Sequence, residues 1–397
     1  MNIIDNRLME QIITNEQRRY LGLEPIGSQW EVTDYINRQN NDEHVYLLFD
    51  GDIIRRKISI TPSSYQEVQL QVQTAENHTL VLPKTKRGKP KILNFSAAQA
   101  MAGEGTYFYA WGGGETCSVG IANYTTQQTY IHDDFQGKGS LCESVQAWIQ
   151  QWMADTSEQD MEEIERFKTA RRMHQHYRVG DFFAFKVSRR EWGYGRILMD
   201  VSELRKDPHF AEKGNWGLKN LMGRPLIVHI YHKIGSSPAI SLKELCHLDT
   251  MPAQAIMDNR LFYGEYPVIG NLPLSVAEYE PLISLGRSIV WDMDTVPVYF
   301  QYGLIYRETT ADLFKKEFPN IDFDKFRNEG IGFQLHYPCL RQCIAEQSNT
   351  PYWQTRMNNR YGDLRDPSYA ELKRRLFDFF GLDASKSYAE NLHSSTQ

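Results

Sequence analysis

Cysteine is scarce in this 397-residue chain. Cys117, Cys142, Cys246, Cys339 and Cys343 make an odd number at mostly wide spacing. That is a poor disulfide framework and suits a reducing compartment. A targeting segment is missing as well: the opening MNIIDNRLMEQ carries acids and no apolar core of signal length, so no secretory signal is expected. No apolar run approaches the ~20 residues that a membrane helix needs, so no membrane contact is expected and the cytoplasm is the expected address. Neither sign of charge dominates. The net charge is −6 and the pI about 6.0, which argues against a general nucleic-acid binder, where a basic patch is the rule. It is compatible with a basic partner. Internal repeats and low-complexity segments are absent too.

The familiar catalytic signatures are also missing. Gly235-Ser236-Ser237-Pro238 and Gly286-Arg287-Ser288 fall short of the G-x-S-x-G of a serine nucleophile. Gly112-Gly113-Gly114 is followed by neither GKS nor GKT and opens no helix, so the phosphate-cradling and dinucleotide templates do not fit. The carboxylate pairs Asp292/Asp294 and Asp322/Asp324 have the spacing of two that any strand or acidic loop produces, and no glycosidase geometry follows. His229 and His232, with Asp200 and His247 nearby in sequence, would have to converge to hold a metal. An odd separation on a strand places the two histidines on opposite faces. Cys339 and Cys343, with His336 before them, would share a helix face, but two core cysteines are the simpler reading. No metal, cofactor or catalytic residue is therefore expected, and no motif marks an enzyme.

What the chain does have is apolar residues at 41%, charged residues at 24% and aromatics at 12%, with 22 Tyr. These are values of a globular protein long enough for two or three domains. Ile3, Ile4, Leu8, Ile12 and Ile13 recur at helical spacing over residues 1–20. Asp50-Gly51 between apolar runs predicts a hairpin, and Val68, Leu70 and Val72 alternate with glutamines as in a half-buried strand. The basic run Lys84 to Lys91 holds Gly88 and Pro90 and reads as a solvated loop, because no aromatic interleaves with it. Leu141 to Met153 is helical. Acids early and bases late over 155–176 suit a second, connecting helix. Leu226 to His232 reads as a central strand, and Pro297 to Tyr306 as an edge or bulged strand with Gly303 within it. The expectation is an α+β protein of two domains, each a bent, mostly antiparallel sheet with flanking helices. The boundaries fall at 1–155, a connecting helix over 156–177, a second domain over 178–382, and a frayed tail over 383–397.

The most distinctive stretch is Val179 to Leu198. Gly180-Asp181 leads into Phe182, Phe183, Ala184, Phe185 and Val187; a polar turn follows, then Gly193-Tyr194-Gly195-Arg196-Ile197-Leu198. Two aromatic, β-branched runs split by a polar turn predict a β-hairpin. Glycines inside the second strand predict a bulge or a close backbone approach. This pattern resembles the opening of immunity protein family 26, whose members accompany polymorphic toxins, with a resemblance reaching roughly to Tyr306. The resemblance implies a cytosolic antitoxin that binds and neutralises a cognate protein toxin, without catalysis. A basic nuclease domain is the partner that mild acidity would suit. Direct nucleic-acid binding is not implied. The family is also labelled with phosphotriesterase homologues, which leaves hydrolysis of phosphotriesters or related esters as the alternative. Gly180, Asp181, Phe183, Gly193, Tyr194, Gly195 and Arg196 carry the resemblance and are expected to act structurally, with the partner surface elsewhere.

Overall fold

The computed structural model describes residues 13–82, 88–113, 115–287, 297–327, 339–357 and 362–396. Most of the expected first helix, Lys84 to Arg87, Gly114, Ser288, Asp292, Asp294 and His336 lie outside the described residues. Residue contacts divide the chain into two units, Met1–Met173 and His174–Gln397. Both are mixtures of helix with open antiparallel sheet.

The first unit is an antiparallel meander: β1 (Glu31–Asn37), β2 (Asn40–Asp50), β3 (Ile53–Thr61), β4 (Ser64–Ala75), β7 (Glu104–Gly113), β8 (Thr116–Asn123) and β9 (Gln128–Gln136), in that spatial order. Two short strands, β5 (Leu80–Val81) and β6 (Lys91–Ile92), form a ladder on the far end of β4. Gly51 takes φ +57° in the β2–β3 turn, a conformation that costs glycine nothing. Strand alternation sends Leu48, Ile58, Phe108, Val119 and Ile121 to one face, where the helices Leu141–Ala154 and Glu158–Thr169 supply Val145, Ile149, Trp152 and Ile164. Val45, Leu47, Val68 and Leu70 point to the other face, beneath the short helix Phe95–Gln99. The helical face also buries a charged cluster. Arg18 binds Glu67 at 2.7 Å, Arg56 lies 3.5 Å from the same carboxylate, and the Tyr65 hydroxyl donates to it at 2.8 Å. Charges so placed persist only when paired.

The helix expected to connect the domains belongs instead to this first unit. It starts at a Ser157–Asp160 capping box, buries Ile164 in the core and stops at Thr169. Residues 170–177 carry no helix.

In the second unit, β10 (Asp181–Ser188), β11 (Glu191–Asp200), β12 (Pro225–Gly235), β13 (Thr250–Met257) and β14 (Val268–Asn271) form one antiparallel sheet in the order β13-β12-β11-β10-β14. A separate three-stranded sheet holds β15 (Ile283–Arg287), β16 (Val298–Tyr302) and β17 (Ile305–Thr309). The unit thus has two sheets where one was expected. The expected strand 297–306 breaks at Gly303, which adopts φ +57° and turns β16 into β17. The expected frayed tail is also corrected: Tyr388–Thr396 is a helix. Ser387 and Glu390 cap its start, Tyr388 packs beside Tyr302 and Phe377, and the buried Asn391 side chain donates to the carbonyls of Asp383, Lys386 and Ser387. The tail was polar in composition, but two apolar anchors one turn apart, Tyr388 and Leu392, suffice to dock it.

Candidate functional site

The 179–198 stretch is a hairpin whose facing residues are matched in size. Phe183 lies opposite Gly195 and Phe185 opposite Gly193. Both rings lie across the glycines: a Cβ on Gly193 would meet Phe185 Cε2 at 2.7 Å, and one on Gly195 would meet Phe183 Cε1 at 2.9 Å. Gly195 is also pressed by the His229 carbonyl of β12, 2.8 Å from where its Cβ would be. Between them Tyr194 lies opposite a bulge of β12: Gly193 pairs with Ile234 and Gly195 with Ile230, so the extra residues are on β12. The Tyr194 ring is 1% exposed and packs with Phe182, Ala184, Tyr231 and Leu245. Its hydroxyl donates to the Ser237 carbonyl at 2.6 Å.

Gly180, Asp181 and Arg196 converge on one segment, residues 271–278, which straps the hairpin. Gly180 takes φ +87°, and any Cβ there would meet the Leu272 carbonyl at 2.5 Å. Asp181 accepts from the Arg178 backbone N–H at 2.8 Å and from Asn271 Nδ2 at 2.7 Å. The Arg196 guanidinium, 1% exposed, donates to the carbonyls of Leu272 and Pro273 at 3.0 and 3.1 Å and to Glu278 at 2.8 Å. It also lies 4.6 Å from the Phe182 ring centroid, a geometry in which the ring quadrupole adds attraction. The Ser275 backbone N–H, together with Arg196 and the Ser275 hydroxyl, holds the Glu278 carboxyl down at about 2.

Beside Arg196 sits His229, its register partner on β12. Burial, reinforced by the Arg196 cation, pushes His229 down to about 3, so the ring is neutral. Its Nε2 has no hydrogen-bond partner among the described residues. Tyr231 meets it edge-on at 4.8 Å, and burial raises that phenol's pKa. His232 is separated from His229 and bonds Asn349 at 3.0 Å through Nε2. Cys339 caps the helix Leu340–Glu346 rather than lying within it, and with Cys343 it packs in the core against Phe183 and Ile230. Among the described residues no group of three His, Cys, Asp or Glu could hold a metal ion.

One feature went unread in the sequence. A groove of about 690 Å³ opens beside the strand entry, lined by Tyr177, Val179, Met199, Asp200, Asp207 and Arg224 among others. Its acids are engaged. Asp200 caps the helix Val201–Leu204 and Asp207 caps Pro208–Glu212, while Tyr177 donates to Asp258 at 2.6 Å. The groove thus has the volume to hold a ligand, on walls whose Asp200, Asp207 and Tyr177 are tied into the fold. Val179 on its wall is 44% exposed. The signal that could have found it was the pair Asp200 and Asp207, each two or three residues before a backbone N–H it could cap.

The segment carrying the hairpin, the strap and the groove matches the model of a family of immunity proteins. That family is immunity protein 26, and the match covers residues 178–291. It spans the whole five-stranded sheet, the strap and β15, and stops short of β16 and of the Tyr306 expected as its limit. No curated protein and no solved structure matches the chain.

Proposed function

We propose that the second unit is a cytosolic immunity domain that binds a cognate toxin domain of a polymorphic toxin system and holds it inactive, with no chemistry of its own. The observation that carries this reading is the coincidence of the family match with one complete sheet and the strap that Gly180, Asp181 and Arg196 close. The seven signature residues build the scaffold: all are committed to packing or to internal hydrogen bonds. The partner surface is assigned to the groove beside Tyr177 and Val179, where an apolar wall and half-exposed polar rims suit a protein anchor. The five cysteines are all unpaired, which agrees with a reducing compartment.

The test is a pull-down of the full chain from a producing bacterium, with the protein products of adjacent reading frames expressed alongside. Capture of a toxin domain whose lethality the chain abolishes is the expected result, weakened by Val179→Asp. Metabolic neighbours with no captured toxin, or metal-dependent turnover of a phosphotriester by the pure protein, would overturn the reading.

A further inference from the structure

Lys and Arg total 44 and Asp and Glu 50 in the chain, and the imbalance is confined to one unit. Residues 1–173 hold 17 basic against 23 acidic side chains, and residues 174–397 hold 27 of each. The whole net charge of −6 therefore belongs to the first unit, outside the family match. Charge asymmetry of this kind bears on association rather than on fold.

The first unit also has a place to use it. The sheet face opposite the long helices is covered only in part by the Phe95–Gln99 helix. Beside that helix lies a cleft of about 490 Å³ whose walls include Trp111, Tyr109 and Phe95, with Gln66, Ser59 and Glu43 among its polar groups. Trp111 is 56% exposed, an unusual state for the largest apolar side chain. The Tyr109 ring lies against Gly120, which has no side chain to displace it. Its hydroxyl pairs with His132 Nδ1 at 3.2 Å; His132 Nε2 lies 3.4 Å from Asp134, which also accepts from Ser118. Glu43 is held by the amides of Asn37 and Asn40 at 2.6 and 3.0 Å, neutral donors that leave its charge uncancelled. The Ser59 hydroxyl has no partner among the described residues.

None of the described residues lining this cleft is Lys or Arg. Lys57, on the same strand as Ser59, is spent on the carbonyls of Gln99 and Met101 at 3.0 and 2.7 Å. β5, the strand before the basic run Lys84 to Lys91, pairs with Thr74 and Ala75 at the opposite end of β4 from Gln66, ~25 Å away at the rise of a strand.

We infer that this cleft docks an arginine- or lysine-bearing segment of a protein partner, the cation stacking on Trp111 and Tyr109 with Glu43 as its counter-charge. Aromatic faces and a carboxylate without a competing cation are what a guanidinium or ammonium selects. A phosphate or carboxylate ligand would meet Glu43 and, among the described lining residues, no Lys or Arg; the His44 ring in the lining is engaged by Asp34 at 3.0 Å. The inference does not rest on the immunity reading, since it concerns a unit that the family match leaves out.

The experiment titrates the full chain with an N-acetylated hexa-arginine amide at low and physiological salt, using calorimetry. Cellohexaose and a single-stranded oligonucleotide serve as alternative probes. Peptide binding is expected, weakened about tenfold by Trp111→Ala and several-fold by Glu43→Gln. Glu162→Gln, an equal charge change on the Glu158–Thr169 helix, is expected to leave it unaltered. Circular dichroism confirms that each variant is folded. Equal weakening by Glu162→Gln, wild-type affinity in the Trp111 variant, absence of peptide binding, or preferential binding of sugar or oligonucleotide would each overturn the inference.

Discussion

Replacing Gly195 by alanine tests how the hairpin is built. The added methyl would meet two things at once: the Phe183 ring, with Cε1 at 2.9 Å, and the His229 carbonyl at 2.8 Å. The ring can rotate or shift, but the carbonyl belongs to a central strand fixed on both sides. At Gly193 the nearest atoms to an added methyl all belong to the Phe185 ring, with Cε2 at 2.7 Å. Overpacking a core costs about 1–3 kcal/mol when side chains can adjust. Gly193→Ala should fall in that range, and Gly195→Ala should exceed ~3 kcal/mol, because β11 and β12 must separate. The two sites should also differ in rescue. Phe185→Leu combined with Gly193→Ala should recover about 1–2 kcal/mol as coupling energy. Phe183→Leu should relieve the ring contact at Gly195 and leave the carbonyl contact intact. Urea unfolding of the six variants, with unchanged m-values, measures all of this. Equal costs at the two glycines, or full rescue of Gly195→Ala by Phe183→Leu, would refute the reasoning.

Three further outcomes follow from the same site and its surroundings. Arg196→Lys should destabilise by about 2 kcal/mol or more, because a lysine cannot serve Leu272, Pro273 and Glu278 at once; limited proteolysis should then cut within 271–278, and a protected strap would count against the clamp. His229, held down at about 3 when folded, takes up a proton near pH 6.5 once unfolded. Its contribution is therefore complete above that pH and falls by ~1.4 kcal/mol per unit as pH drops from 6.5 towards 4.5; His229→Leu should flatten the profile in that window, and an unchanged slope would sink the assignment. Tyr388→Ala should cost about 3–5 kcal/mol by urea unfolding, since it removes a buried ring and the oxygen that accepts from the Leu304 N–H at 2.9 Å; a neutral substitution would mean that the last helix does not pack.

The hairpin was legible because its information is local: paired aromatic runs, a polar turn, and glycines where rings need room. The α+β class and the antiparallel pairing were legible for the same reason, in the Asp50-Gly51 turn and the period-two glutamines of β4. What escaped was set by distant partners. Nothing near Glu67 in sequence announces that Arg18 and Arg56 will meet it in the core. The strap 271–278 looks like an ordinary proline-bearing loop until Arg196, some 76 residues earlier, reaches the Leu272 carbonyl. Helix 158–169 has the charge pattern of a solvated connector, and it packs on the first sheet through Ile164, with Met161 and Phe167 beside it. The openness of the cleft beside Trp111 follows from the short reach of the Phe95–Gln99 helix above the sheet, which no residue of β7 encodes.

The first and last strands of the five-stranded sheet, β10 and β14, are hydrogen-bonded neighbours, with Asp181 paired to Asn271. The stretch from β10 to β14 therefore enters and leaves its sheet at nearly the same point. A unit with adjoining ends can be inserted into a loop, or appended to an unrelated partner, without forcing either to stretch. Such a geometry is compatible with a neighbour of unrelated fold, as with the first unit here, which the family match does not cover.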